Sequence, residues 1–123
     1  MERRGGDLKT SYFAKYRGEN GISIARKSPN GFAGQKFPAL FPSWELIKMA
    51  KEGKLEEYQK AYLKKLSYLD VAKVYETLFA LTDGEPVLLC WEKPGKFCHR
   101  RIVAEWFEKE LGIKVKEMEY DKP

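Results

Sequence analysis

Long apolar runs are missing from these 123 residues: no stretch of about 18 uncharged apolar side chains occurs, which excludes a membrane-spanning helix of ordinary length. The opening residues, Met1 to Gly6, lack the apolar stretch of a signal peptide, so a cytoplasmic location and no membrane partner are expected. Cysteine is scarce as well. Cys90 and Cys98 are too few for the disulfide framework of a small secreted protein, and free thiols are expected. There is one histidine, His99, and there is no Walker loop, no G-x-G-x-x-G and no C-x-x-C pair, so nucleotide binding through those devices is unsupported. Internal repeats and low-complexity tracts are also absent.

What the chain does have is core material. Apolar residues make up 43% and aromatics 14%, enough to fill the interior of one small domain spanning 1–123 and to argue against a disordered tail. The net charge is +5 and unevenly spread: residues 1–54 carry 11 basic and 5 acidic side chains, residues 55–123 carry 12 and 13. A positive field confined to one half suits an anionic partner, whether nucleic acid, nucleotide or phosphorylated metabolite, although many soluble proteins carry as much.

The local pattern alternates strands and helices. Residues 7–13 read as a first strand and 21–26 as a short second one, followed from Lys27 to Ser43 by a loop too dense in proline and glycine for a long helix or a central strand. Ser43 is placed to cap a helix that Gly53 closes, a second helix is predicted over 55–65, and Ser67 with Asp70 marks the start of a third. Pro86 to Trp91 is a continuous apolar run, the mark of a strand covered on both faces. Residues 98–111 form a patterned helix capped by Gly112, and 113–118 alternate as a final edge strand. This order predicts an α/β domain with a mainly parallel sheet in three layers.

Chemistry concentrates between the buried strand and the last helix. Cys90 and Glu92 alternate toward one side of the strand end, while Cys98, His99 and Arg100 fall on the first helical turn, where free backbone N–H groups favour anions and thiolates. The block L-L-C-W-E-K-P-x-x-F-C-H-R-R-I-V-A-E-W closely resembles the signature of the domain of unknown function 488 family, in its compact branch. The resemblance extends to Thr10-Ser11-Tyr12-Phe13 and to the segments 21–26 and 37–42, and so covers most of the chain. It implies a small Rossmann-like α/β domain and leaves the reaction open.

Each candidate has a plainer reading beside it. Cys90 in an apolar strand suits the core, His99 beside two arginines suits a structural hydrogen bond, and Glu92 can pair with Arg100. The cysteine-phosphatase loop fails because Ala104 stands where its arginine is needed, six positions after Cys98. A zinc site from Cys90, Cys98 and His99 is conceivable, but neighbours on a helix project in different directions, so neither a metal nor a cofactor is expected. The reading that remains is an enzyme-like domain for an anionic, nucleotide- or nucleic-acid-derived ligand. Cys98 is its nucleophile or redox thiol, Glu92 and His99 its proton-transfer pair, and Arg100, Arg17, Arg26, Thr10, Ser11 and Cys90 its ligand contacts. Arg17 and Arg26 are expected to fold over the sheet edge toward Cys98. The alternative is a non-catalytic nucleic-acid or nucleotide-binding module, with Lys9, Lys15, Arg17, Arg26, Lys27 and Lys36 interleaved among Tyr12, Phe13, Tyr16, Phe32 and Phe37, and with cysteines that only pack.

Overall fold

The computed structural model describes residues 7–92 and 97–118. Five strands, β1 (Lys9–Tyr12), β2 (Gly21–Ser23), β3 (Gln35–Lys36), β4 (Val87–Cys90) and β5 (Lys116–Glu117), form one sheet in the order β3-β2-β4-β1-β5. Every pairing is parallel. Four helices accompany them, α1 (Trp44–Lys51), α2 (Leu55–Leu66), α3 (Val71–Ala80) and α4 (His99–Leu111), giving the expected small three-layer α/β architecture. Among the described residues, no helix is long and apolar enough to cross a membrane.

The position of β4 follows from its composition. Val87, Leu88, Leu89 and Cys90 are all buried, because the strand lies between β1 and β2 and neither face meets water. Helix ends follow local chemistry as the sequence indicates. The Ser43 hydroxyl accepts from the N–H of Leu46 at 3.2 Å, and the Asp70 carboxylate accepts from that of Lys73 at the same distance. Gly112 closes α4 with φ of 66°, a conformation in which a side chain would be strained. Ser67, expected to help start the third helix, instead ends α2, and Asp70 alone caps α3.

All four strands read from the sequence are shorter in the structure, and in β2 and β5 the cause is that side chains take over backbone groups that a ladder would use. At the end of β2, the N–H of Ala25 donates to the Ser23 hydroxyl. Before β5, the N–H of Val115 donates to the Glu108 carboxylate at 2.9 Å and its carbonyl accepts from Arg101 at 3.1 Å, which leaves only Lys116 and Glu117 to pair with β1. The proline- and glycine-rich loop contributes β3 at the sheet edge and a single 3-10 turn at Pro38–Leu40.

β1, β2 and β4 end side by side, at Tyr12, Ser23 and Cys90, and α4 begins nearby. This carboxyl edge is where open α/β sheets receive ligands. The loop over it is held from below by Tyr62 of α2, whose hydroxyl donates to the carbonyl of Leu40 at 2.5 Å, both residues being fully buried. Tyr62→Phe orphans that carbonyl and should lower unfolding free energy by about 1–2 kcal/mol in denaturant titration. An unchanged midpoint would show that the contact does not hold the loop.

Candidate functional site

A cleft of 420 Å³ opens at this carboxyl edge. Its floor is Cys90, Cys98 and His99, which are 1%, 4% and 6% exposed. Cys90 and Cys98 are joined in a disulfide, which corrects the expectation of free thiols. The cause is local geometry. Cys98 is the N-cap of α4 with extended backbone (φ −152°, ψ 139°), so its side chain is not bound by helical periodicity and reaches the end of β4. The same geometry overturns the argument that Cys98 and His99 must diverge, since Cys98 Sγ lies 4.0 Å from His99 Nδ1.

The protonation pattern of His99 can be derived. Nε2 stands 2.7 Å from the carbonyl of Ile24, and a carbonyl only accepts, so Nε2 carries the hydrogen. Burial, reinforced by the charges of Arg100 and Lys65 and opposed by the Ile24 bond, pushes the imidazole down to about 4. The ring is therefore neutral at neutral pH and turns the lone pair of Nδ1 toward the sulfur of Cys98. Tyr62 packs edge-on against it at 5.5 Å.

Arg100 is 1% exposed, and its charge is already engaged. Nε and Nη2 donate to the two carboxylate oxygens of Glu117 at 3.0 and 2.9 Å, while Nη1 donates to the carbonyl of Glu92 at 2.7 Å and lies 3.1 Å from Cys90 Sγ. The guanidinium thus sits against Cys90, and its carboxylate partner is Glu117, with Glu92 contributing only its backbone carbonyl. Arg101 turns to the Thr10 hydroxyl and the Val115 carbonyl. Thr10 donates in turn to Glu117 at 2.6 Å, and Ser11 is fully buried within β1. Although burial opposes it, hydrogen bonds from Arg100 and Thr10 hold the Glu117 carboxyl below its usual range. Thr10, Arg100, Arg101 and Glu117 form one polar network behind the floor.

The walls and rim contain residues that the sequence reading did not select. Trp44, 65% exposed, stands at the first position of α1, and the Arg26 guanidinium stacks on its ring at 4.7 Å. Trp91, 49% exposed, is pinned by its indole N–H to the carbonyl of Lys27 at 2.7 Å and rests against Phe13. Tyr58 and Phe97 meet edge-on at 4.9 Å along one wall. Burial, and then the nearby Glu92 charge, raise the Tyr58 phenol, so it remains a hydrogen donor. The available signal was positional: Trp44 follows a capping serine and lies off the inward stripe of α1, where Leu46 is buried.

Arg26, Glu92, Cys90, Cys98 and His99 thus share the cleft. Arg17 does not. It lines a second cleft of 620 Å³ with Phe13, Tyr16 and Phe32, and its guanidinium donates to the carbonyl of Tyr16 at 3.2 Å. Phe32, one of the aromatics interleaved with the basic residues, is half-buried against Phe13 at 5.4 Å.

The family model DUF488-N3a, described as the active DUF488-N3 subclade, matches residues 10–111. No curated protein and no solved structure matches the chain.

The buried neutral imidazole carries a stability consequence. His99 binds its proton near pH 4 when folded and near 6.5 when unfolded, so between those values the unfolded chain holds more protons and acid favours it. In the disulfide-bonded protein, unfolding free energy should fall by about 2–3 kcal/mol as pH drops through this window. His99→Gln should remove most of the stability difference between pH 7 and pH 5. Denaturant titrations at pH 7 and pH 5 check it, and equal stabilities in the parent protein would contradict the burial argument.

Proposed function

The chain belongs to the active DUF488-N3 subclade, and from that premise we propose that it is an enzyme-like α/β domain taking an anionic, nucleotide- or nucleic-acid-derived ligand in the first cleft. One observation carries the reading: exposed aromatic faces and cations line the rim of a cleft whose floor is the Cys90, Cys98 and His99 cluster. Trp44 and Trp91 offer planar surfaces for a base, while Arg26, Lys27 and Lys51 offer charge for a phosphate. Arg100 positions the floor and does not hold the ligand.

The chemistry in this reading needs the disulfide open. Two electrons and two protons from a dithiol, which leaves as its own disulfide, release Cys90 and Cys98 as thiols. At the N-terminus of α4 the Cys98 thiol then faces the free Nδ1 of His99, which accepts its hydrogen bond and takes its proton only with the thiolate's own charge beside the ring to offset the burial that otherwise keeps it neutral. Nη1 of Arg100 favours the thiolate form of Cys90 differently, by its positive charge and by donating to the sulfur. Glu92, at the cleft edge, is the second group able to move a proton.

The alternative, a nucleic-acid-binding module, draws support from the second cleft, where Phe13, Tyr16 and Phe32 surround Arg17. Fluorescence and salt dependence separate the two. A nucleoside monophosphate should quench Trp44 and Trp91 saturably, and Arg26→Ala should weaken binding roughly 10- to 100-fold, the loss of one charge-assisted contact. Arg17→Ala should leave it unchanged. Single-stranded oligonucleotides should bind with at most two or three phosphates engaged, at about 0.7 log units of affinity per log unit of salt for each. Absence of saturable quenching, or a slope equivalent to six phosphates that Arg17→Ala reduces, would overturn the first reading in favour of the module.

A further inference from the structure

The floor of the cleft combines three metal-ligating groups in one buried place: the two sulfurs and the imidazole offer ligand atoms that all lie within 4.8 Å of one another. Two of the features around them are those that ready such groups for a cation. The N–H of His99 is spent on the Ile24 carbonyl, which fixes the ring and leaves Nδ1 as a lone-pair donor, the usual outer-shell arrangement of a metal-bound histidine. Nη1 of Arg100 lies 3.1 Å from Cys90 Sγ and supports negative charge on it. No third protein ligand need be recruited, because all three groups already border the same cleft.

We infer that the reduced protein holds one thiophilic divalent cation, of the zinc class, through Cys90 Sγ, Cys98 Sγ and His99 Nδ1, with its fourth position open to the cleft. A set of two cysteines and one histidine with an open position is a composition suited to a reactive, rather than a closed structural, zinc centre. The distances allow it. Tetrahedral bonds of about 2.3 Å to sulfur and about 2.0 Å to nitrogen set ligand atoms roughly 3.5–3.8 Å apart. Cys98 Sγ and His99 Nδ1 stand at 4.0 Å, and opening the disulfide lets the sulfurs separate to that spacing.

The balance is complete with a dithiol as reductant. The disulfide gains two electrons and two protons, the dithiol is oxidised, and metal binding then displaces the two thiol protons to water. The imidazole is already neutral and contributes its lone pair without losing a proton. A peroxide takes two electrons from the two thiolates and, with two protons from water, leaves as water, which re-forms the disulfide and expels the cation, so oxidised and metal-bound protein are two exclusive states of one floor. In the metal-bound state Cys98 is a ligand and not a nucleophile. Only the identity of the fourth ligand, water or a phosphate oxygen of the bound molecule, rests on the functional reading above.

Cobalt is the probe. Full-length protein reduced with a phosphine, which competes weakly for metal, should take up one cobalt ion per chain and develop thiolate-to-cobalt charge-transfer absorption. Zinc should displace the cobalt, and peroxide should release it. The disulfide-bonded protein should take up none. Cys98→Ser should lose about half of the charge-transfer intensity or all binding, and His99→Ala should weaken binding at least tenfold. Circular dichroism and cooperative unfolding of each variant establish that it is folded, and zinc protection of both cysteines from alkylation in the unmutated protein gives a readout free of substitutions. Reduced, folded protein that takes up neither cation would overturn the inference, as would unimpaired binding by the Cys90→Ser, Cys98→Ser double variant. So would a reduced chain that unfolds and that zinc does not restore. Nucleotide binding by the oxidised protein is scored separately by tryptophan quenching, so a failure of the metal site is distinct from a failure of the cleft as a ligand site.

Discussion

A buried guanidinium organises this molecule. Arg100 has almost no contact with water, and a charge in that position must be neutralised and hydrogen-bonded or the fold pays several kcal/mol. Its fork reaches Glu117 in the last strand, the carbonyl of Glu92 after β4, and the sulfur of Cys90 at the end of β4. One side chain therefore ties the start of α4 to two strands that are not sheet neighbours. Lysine, with a single point of charge, could not span these partners. Removing either member of the Arg100 and Glu117 pair would strand the other, which is why the pair constrains structure more than its net energy suggests.

That constraint divides the labour in the cleft. Charge at the floor is already balanced internally, and the group turned toward Cys98 is a neutral imidazole. The cations placed to meet an anion are at the rim, where Arg26 sits over the ring of Trp44 and Lys27 follows it. An anionic ligand with a planar group would lay that group against tryptophan, place its charge at the rim, and direct its remaining atoms to the sulfurs and His99. The positive field of the first 54 residues then serves the cleft mainly through the segment after β2. Arg17, from the same half of the chain, serves a different surface.

The parts of this arrangement that were legible in the sequence are those decided by neighbours in the chain. Ser43, Asp70 and Gly112 mark helix ends because capping uses groups two or three residues away. β4 announces itself because four consecutive buried residues require cover on both faces. The block from Cys90 to Arg101 was identifiable as the place where chemistry collects, and Arg26, Glu92, Cys90, Cys98 and His99 do meet there. What was hidden depends on distant partners. Nothing near Arg100 says that Glu117 will claim it, nothing near Val115 says that Glu108 will take its N–H from the ladder, and β3 is a strand only because β2 lies beside it. The disulfide was missed for a different reason: Cys98 was read as a helical residue, whereas an N-cap keeps extended backbone and points its side chain back to the sheet.

On the proposed reading, ligand and chemistry meet in the cleft floored by Cys90, Cys98 and His99, with Arg100 behind it as a structural clamp. Backbone and indole amide chemical-shift mapping of isotope-labelled protein titrated with a nucleoside monophosphate tests this most directly. Shifts concentrated at Arg26, Lys27, the indoles of Trp44 and Trp91, and the first turn of α4 are the predicted result. Shifts confined to Arg17, Phe32 and the second cleft, with the indole of Trp44 silent, would contradict it.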